Sequence, residues 1–179
     1  MESCSKVFLE LSLDTTNLDT TFPQSLRLEF ELFTGDCPKL TSHFISLCKG
    51  VQHNGSFKSY RNCRFFRIIP GHFAICGDIQ RNNGSGSFCL EPSGYLNDEN
   101  LTSSHNKRGL LATYNQGPDK NDSQFIITFG KCEWLDGRHC VFGRLTDRCL
   151  SDLIWLEKLQ GLDGSSENRL VVSNCGVCK

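Results

Sequence analysis

Residues 64–78 read RFFRIIPGHFAICGD, and this stretch decides the fold that the sequence predicts. Two short apolar runs flank Arg67, after which Pro70 and Gly71 end the strand and turn the chain. A second apolar run follows at 73–75. A guanidinium between apolar side chains needs a partner, a ligand or a route to solvent, because a desolvated charge is costly. Arg67 is therefore either an edge-strand arginine that reaches water or the donor of a functional site.

Long motifs around this stretch resemble those of one known family. The segment RIIPG with the GD that follows is the first, and NQGPDKNDSQFIIT at 115–128 and EWLDGRHCVFG at 133–143 come next in order and spacing. Together they resemble the motifs of the cyclophilins, a family of prolyl isomerases. Shorter matches extend the resemblance over about residues 6–178: LEFELF at 28–33, LNDEN at 96–100, HNKRGLL at 105–111 and SNCG at 173–176.

The apolar pattern predicts many short strands. Residues 6–14 alternate and are expected to pair with 26–33 as a hairpin. Strands without a strand–helix–strand rhythm favour an antiparallel barrel. The resemblance specifies the fold: mainly β, a closed eight-stranded antiparallel cyclophilin-like barrel capped by two α-helices, with residues 1–179 as a single domain.

Two helices are predicted from the spacing of apolar residues. The first spans 36–49, where Asp36 would cap the first turn and Pro38 fits it. The second spans 150–159 and precedes a glycine-rich turn.

Prolyl isomerisation requires neither a nucleophile nor a cofactor. Amide resonance opposes rotation with a barrier of about 18–20 kcal/mol. A catalyst therefore needs a donor for the twisted amide, an apolar pocket for the proline ring and contacts for the flanking backbone. The resemblance implies that Arg67 is the donor. It also implies substrate-binding roles for the rim residues Trp134, Leu135 and His139, for Asn115 as a backbone contact and for Gln124 beside the arginine.

The chain departs from the family where the substrate would sit. The resemblance implies three catalytic positions, Arg67, His72 and Ile126. Arg67 is retained, whereas His72 and Ile126 replace two pocket phenylalanines. Ile75 replaces the glutamine that binds the substrate backbone. Two further changes at substrate-binding positions are Phe73 in place of a methionine and Tyr114 in place of an alanine, whose ring would intrude on the groove. These changes predict a degraded proline pocket and an isomerase that is weak or inactive.

Three functions are consistent with these residues. The first is a cyclophilin-type domain kept as a protein-binding or structural component of a larger assembly, with the loop at 15–25 as its partner surface. The second is an active peptidyl-prolyl isomerase that assists protein folding. In both cases we expect proline-containing peptides or client proteins as partners, and neither a cofactor nor a metal. The third is a thiol-redox protein that uses Cys175 and Cys178.

Composition excludes several other classes. The net charge is −1 with 22% charged residues, which gives no electrostatic footprint for nucleic acid. No apolar run has the length of a signal peptide or a membrane span, so we expect an intracellular chain, cytoplasmic or in another compartment, that is neither secreted nor inserted in a membrane. The 11 cysteines are scattered and odd in number, so most are expected to be reduced and buried.

Overall fold

The computed structural model describes residues 5–14, 22–159 and 169–179. Residues 15–21, which include most of the predicted partner loop, lie outside the described residues. Within the described ranges the strands are β1 (Lys6–Asp14), β2 (Leu26–Leu32), β3 (Val51–His53), β4 (Ser56–Lys58), β5 (Arg67–Ile69), β6 (Phe73–Cys76), β7 (Leu110–Asn115), β8 (Asn121–Thr128), β9 (Val141–Leu145) and β10 (Arg169–Val177). The helices are α1 (Pro38–Lys49) and α2 (Leu153–Glu157), with 3₁₀ turns at Glu133–Leu135 and Asp147–Asp152.

Eight strands form one curled antiparallel sheet in the order β10-β1-β2-β9-β7-β8-β6-β5. The sheet is not the closed barrel that the sequence predicts, because β10 and β5 are its two edges and do not pair with each other. Residues 62–65 bridge the gap instead. The amide of Asn62 donates to the Val172 carbonyl at 2.7 Å and that of Phe65 to the Leu170 carbonyl at 3.0 Å. Asn62 has φ +68°, which interrupts the extended backbone that a ninth strand would need.

Alternating side chains of the strands fill the interior. On β1, Val7, Leu9 and Leu11 are fully buried, as the alternation predicts. Helix α1 covers one end of the sheet and inserts Phe44, whose ring lies 5.3 Å from that of Phe125 between centroids. This interior packing is continuous through most of the strands and leaves their outward faces to form the functional surface.

Helix α1 begins at Pro38, and Asp36 does not cap it as predicted. The boundary residue, Cys37, makes no side-chain cap hydrogen bond. Glu99 takes that role from a distant loop: its carboxylate accepts from the Lys39 amide at 2.9 Å and the Leu40 amide at 2.8 Å. The negative charge of this carboxylate also interacts favourably with the positive end of the helix dipole.

The second predicted helix, at 150–159, is shorter than expected. Its first part is the 3₁₀ turn Asp147–Asp152, and only Leu153–Glu157 is α-helical. One reason is that the Leu150 carbonyl accepts from Arg108 Nε at 3.4 Å, which competes with an α-helical bond at that position.

Nine of the ten described cysteines are buried, and Cys178 is half-buried. Cys175 belongs to the interior core, where burial raises its pKa. Cys178 lies instead among the charged outer residues of β1 and β2. Residues three apart along an extended chain point to opposite faces, so this pair does not form a shared redox site in the structure.

None of the helices in the described part of the chain has the length and apolar character that crossing a membrane would require.

Candidate functional site

The strand register places Arg67 in a row that runs across the outer face of the sheet. Arg67 of β5 lies opposite Ile75 of β6, Ile75 lies opposite Ile126 of β8, and Ile126 lies opposite Ala112 of β7. Residues directly opposite in a sheet share one face. Their neighbours in sequence belong to the interior core (Ile68, Ala74, Leu111 and Ile127), so the row faces outward.

An apolar cluster covers this outer row. Ile75 and Ile126 are each 1% exposed, although they face away from the interior. The covering residues come from six separate segments and comprise Phe33, Phe66, Phe73, Leu110, Tyr114, Cys132, Leu135 and Val141. The two isoleucines therefore form a closed apolar floor beneath the predicted groove.

Arg67 lies at the edge of this floor and is exposed. None of the described residues forms a hydrogen bond or an ion pair with its guanidinium. A guanidinium has five N–H donors, and those of Arg67 have no partner within residues 5–14, 22–159 and 169–179. The exposure of Arg67 agrees with its interpretation as an edge-strand arginine that reaches water. Its place in one row with Ile75 and Ile126 agrees with its interpretation as the donor of a functional site.

Two turns that carry predicted site residues meet through their rings, edge to face. The His72 and Trp134 rings lie 5.1 Å apart between centroids, at 79°. The His72 carbonyl accepts from the Phe129 amide at 2.7 Å and from Cys132 Sγ at 3.2 Å, which holds the turn after β5. Trp134 is 53% exposed, whereas Leu135 beside it is buried. An exposed indole next to a buried leucine gives this rim an apolar surface in contact with water.

Two further predicted site residues, Tyr114 and His139, lie next to each other. Their rings are parallel, and Tyr114 also packs against Phe66 with centroids 6.4 Å apart. Burial lowers the pKa of His139, and the neighbouring His105 lowers it further. The Tyr114 ring thus packs against the apolar cluster.

Asn115 and Gln124 are held within the protein. Asn115 Nδ2 donates to Asn121 Oδ1 and to the Arg138 carbonyl, both at 3.0 Å. Gln124 Nε2 donates to the Gly86 carbonyl at 2.7 Å, and its Oε1 is buried with no hydrogen-bond partner among the described residues. The side chain of Asn115 is thus engaged by other residues of the protein.

Six residues of this row and its apolar cluster were missed by sequence reasoning: Phe33, Phe66, Leu110, Ala112, Cys132 and Val141. Ala112 is two residues before Tyr114 on β7, so strand alternation would have found it. Phe66 and Cys132 lie outside regular strands, and no local periodicity indicates where their side chains point.

A separate cleft of about 790 Å³ lies on the outer faces of β1 and β2. Its charges are paired with each other: Arg27 Nε with Glu29 at 3.0 Å and Lys6 with Glu31 at 3.2 Å. It contains none of the predicted site residues, and its mutual ion pairs leave little charge aimed at a ligand.

Potential metal ligands do not gather at the site. Among the described residues, His, Cys, Asp and Glu side chains nowhere form a group of three or more that could hold a metal ion.

Comparison with known proteins identifies the family. The model of the cyclophilin type peptidyl-prolyl cis-trans isomerases matches residues 17–177, most of the chain. The chain belongs to this family.

Two curated relatives show the same relationship. The chain is 36% identical over 155 residues to peptidyl-prolyl cis-trans isomerase H of Rhizopus delemar, covering 84% of this chain and 85% of the relative. It is 37% identical over 157 residues to peptidyl-prolyl cis-trans isomerase CYP22 of Arabidopsis thaliana, covering 84% of this chain and 76% of the relative.

Proposed function

We propose that this cyclophilin-type protein binds proline-containing peptides or client proteins with little or no isomerase activity, and serves as a component of a larger protein assembly. The observation that supports this most directly is the buried pair Ile75 and Ile126 in the row that carries Arg67.

A cyclophilin-type site accelerates rotation by stabilising the twisted amide more than the planar one. In that state the prolyl nitrogen is pyramidal and carries a lone pair, which a guanidinium can bind. Arg67 is free of partners among the described residues and is suited to this role. The donor alone is insufficient, because the proline must be held at the correct distance and orientation.

The groups that would hold the peptide are altered. Ile75 cannot form the backbone hydrogen bond of a glutamine, which is worth about 0.5–1.5 kcal/mol. His72 and Ile126 in place of two aromatic rings reduce burial of the proline by on the order of a few kcal/mol together. Since each 1.4 kcal/mol or so is a factor of ten, these losses amount to several orders of magnitude in rate.

An active isomerase is the second candidate function. The guanidinium of Arg67, which has no partner in the described part of the chain, favours it, and so do the relatives, both of which are named peptidyl-prolyl isomerases. The two candidates differ in one measurable respect, which is whether turnover by the unmodified chain depends on Arg67.

Exchange between the cis and trans forms of a short Ala-Pro peptide, followed by NMR, separates the candidates. We expect the unmodified chain to be near background. The triple variant His72→Phe, Ile75→Gln and Ile126→Phe should raise exchange more than the sum of its single changes, because two walls and one hydrogen bond act together. Since Tyr114 lies in the same packed cluster, Tyr114→Ala is included to make room for the new ring.

Arg67→Ala in the restored variant is the matched control and should remove the gain. Robust exchange by the unmodified chain that is lost with Arg67→Ala would establish the active isomerase instead. A folded restored variant whose exchange ignores Arg67 would refute the site assignment.

The assembly role has its own test. Affinity capture from native extract, repeated with residues 15–25 replaced by a short turn, should lose partners while the shortened protein stays folded. Unchanged capture would move the partner surface to residues 51–62, where Phe57 is 61% exposed, or to 146–150. Recovery of the protein in monomeric form under all conditions would contradict the assembly role.

A further inference from the structure

The turn that carries Trp134 and Leu135 is held at both ends by one neighbouring loop. Asp136 Oδ1 accepts from the His105 amide and from His105 Nδ1, each at 2.7 Å. Its Oδ2 accepts from Ser104 Oγ at 2.8 Å. At the other end, the Cys132 amide donates to the His105 carbonyl at 2.8 Å. These four bonds join two segments of the chain, each of which contributes a family motif.

The charge of Asp136 strengthens the hydrogen bonds that it accepts. Hydrogen bonds from the His105 backbone and ring lower the pKa of Asp136, so that the carboxylate is charged at neutral pH. Bonds to an ionised acceptor are shorter and stronger than neutral ones. His105 is fully buried, and its Nδ1 carries the proton because a carboxylate can only accept.

The turn has two buried side chains, Cys132 and Leu135, whereas Trp134 is exposed. It is a single 3₁₀ turn, closed by the Leu135 amide to the Cys132 carbonyl at 2.9 Å and the Asp136 amide to the Glu133 carbonyl at 3.1 Å. Trp134 projects from it with half of its surface in water and meets His72 only at an edge. A side chain so exposed keeps one position only if the backbone beneath it is fixed.

We propose that His105 and Asp136 are positioning residues, which fix Trp134 and Leu135 for a proline-containing peptide without touching it. The proposal rests on the peptide-binding function proposed above. It assigns a role to two residues that lie in the matched motifs but outside the predicted site.

Trp134 reports on this role directly. The sequence contains two tryptophans, so Trp155→Phe leaves Trp134 as the single indole. In that background Asp136→Ala should broaden or shift the indole N–H signal of Trp134 well below the unfolding temperature and increase its quenching by iodide. Peptide affinity, measured by NMR titration with the Ala-Pro peptide, should fall roughly tenfold, the expected order for one lost rim contact.

Two variants serve as controls. Asp136→Asn keeps a carbonyl acceptor for both His105 donors and should retain the Trp134 signal and most of the affinity. Asp119→Ala removes an exposed carboxylate that accepts from the Asp98 amide in another loop, and should leave Trp134 unchanged. If Asp136→Ala does not fold, His105→Leu removes the ring donor, keeps the backbone amide and should give the same change in smaller degree.

An unchanged Trp134 signal in a folded but destabilised Asp136→Ala protein would overturn the proposal, because the pair would then be structural only. Asp136→Ala could instead displace the Trp134 signal while neither the unmodified chain nor the restored variant binds the peptide. That result would support the positioning role and refute the proposed function.

Discussion

The rings of Tyr114 and His139 lie parallel at an interplanar angle of 1°, with centroids 6.4 Å apart. Tyr114 thus contacts His139 as well as Phe66, which packs against the apolar cluster around Ile75 and Ile126. Tyr114 therefore belongs both to the surroundings of the His139 imidazole and to that cluster.

Replacing that ring should change the protonation of His139. Tyr114→Ala should raise the pKa of His139 towards the usual value of about 6.5, because burial is the main cause of its lowered pKa. NMR titration of the imidazole measures this, and Tyr114→Phe, which keeps the ring, should leave the pKa low. An unaltered pKa in Tyr114→Ala would mean that other residues bury His139.

Glu99 should be the residue that caps α1. Glu99→Ala leaves the Lys39 and Leu40 amides without their acceptor and should cost about 0.5–2 kcal/mol of unfolding free energy. Asp36→Ala is the matched comparison and should cost little. Denaturant unfolding of both variants provides the test, and a larger loss for Asp36→Ala would contradict the structure.

Asp78 should be among the carboxylates on which stability depends most. It is 1% exposed and accepts from five backbone amides, those of Gln80, Arg81, Asn83, Gly84 and Gly86. Burial alone would raise the pKa of Asp78, yet these bonds hold it below its usual value.

Asp78→Ala should therefore cost about 3 kcal/mol or more, by denaturant unfolding at pH 7. Asp78→Asn should also destabilise, since its amide N–H₂ group would face donors on one side. The exposed Asp147→Asn serves as the control and should be near neutral. A loss below about 1 kcal/mol for Asp78→Ala would show that the loop finds other acceptors.

His43 should make the protein sensitive to mild acid. Burial lowers the pKa of His43 from 6.5 to about 4. The unfolded chain then binds a proton that the folded chain does not, so stability is full above about pH 6.5 and falls as the pH drops towards 4. The loss attributable to this residue is on the order of 3 kcal/mol.

The comparison variant is His43→Leu, which has similar volume and does not titrate. Its unfolding free energy should lose less between pH 7 and about pH 4 than that of the unmodified chain. Parallel pH profiles for the two proteins would contradict the buried neutral state of His43.

Local pattern was sufficient for some elements and insufficient for others. The alternation at residues 6–14 predicts β1 as observed, because each strand residue reports its own face. The start of α1 was displaced, since its capping carboxylate at Glu99 lies 60 positions from Lys39 and nothing near Asp36 reveals it.

The sequence was likewise sufficient to predict some features of the site and insufficient for others. The resemblance marks Ile75 and Ile126 as altered positions, and alternation assigns them to one face. Their burial depends on Leu135 and Cys132, which reach the row from an irregular segment. Contacts of that kind are decided by tertiary packing, for which sequence periodicity carries no signal.

The pairing of β1 with β10 joins the two ends of the described chain, with Val7 opposite Val177. During synthesis β1 and β2 can form their hairpin early, but the other edge of β1 stays open until residues 169–177 have left the ribosome. At about 5–20 residues per second this interval lasts on the order of ten seconds or more. An unpaired edge strand attracts other chains for as long as it is exposed. The yield of native protein should therefore depend on the rate of translation. Association through the open edge of β1 should be most frequent where several nascent copies lie close together on one polysome.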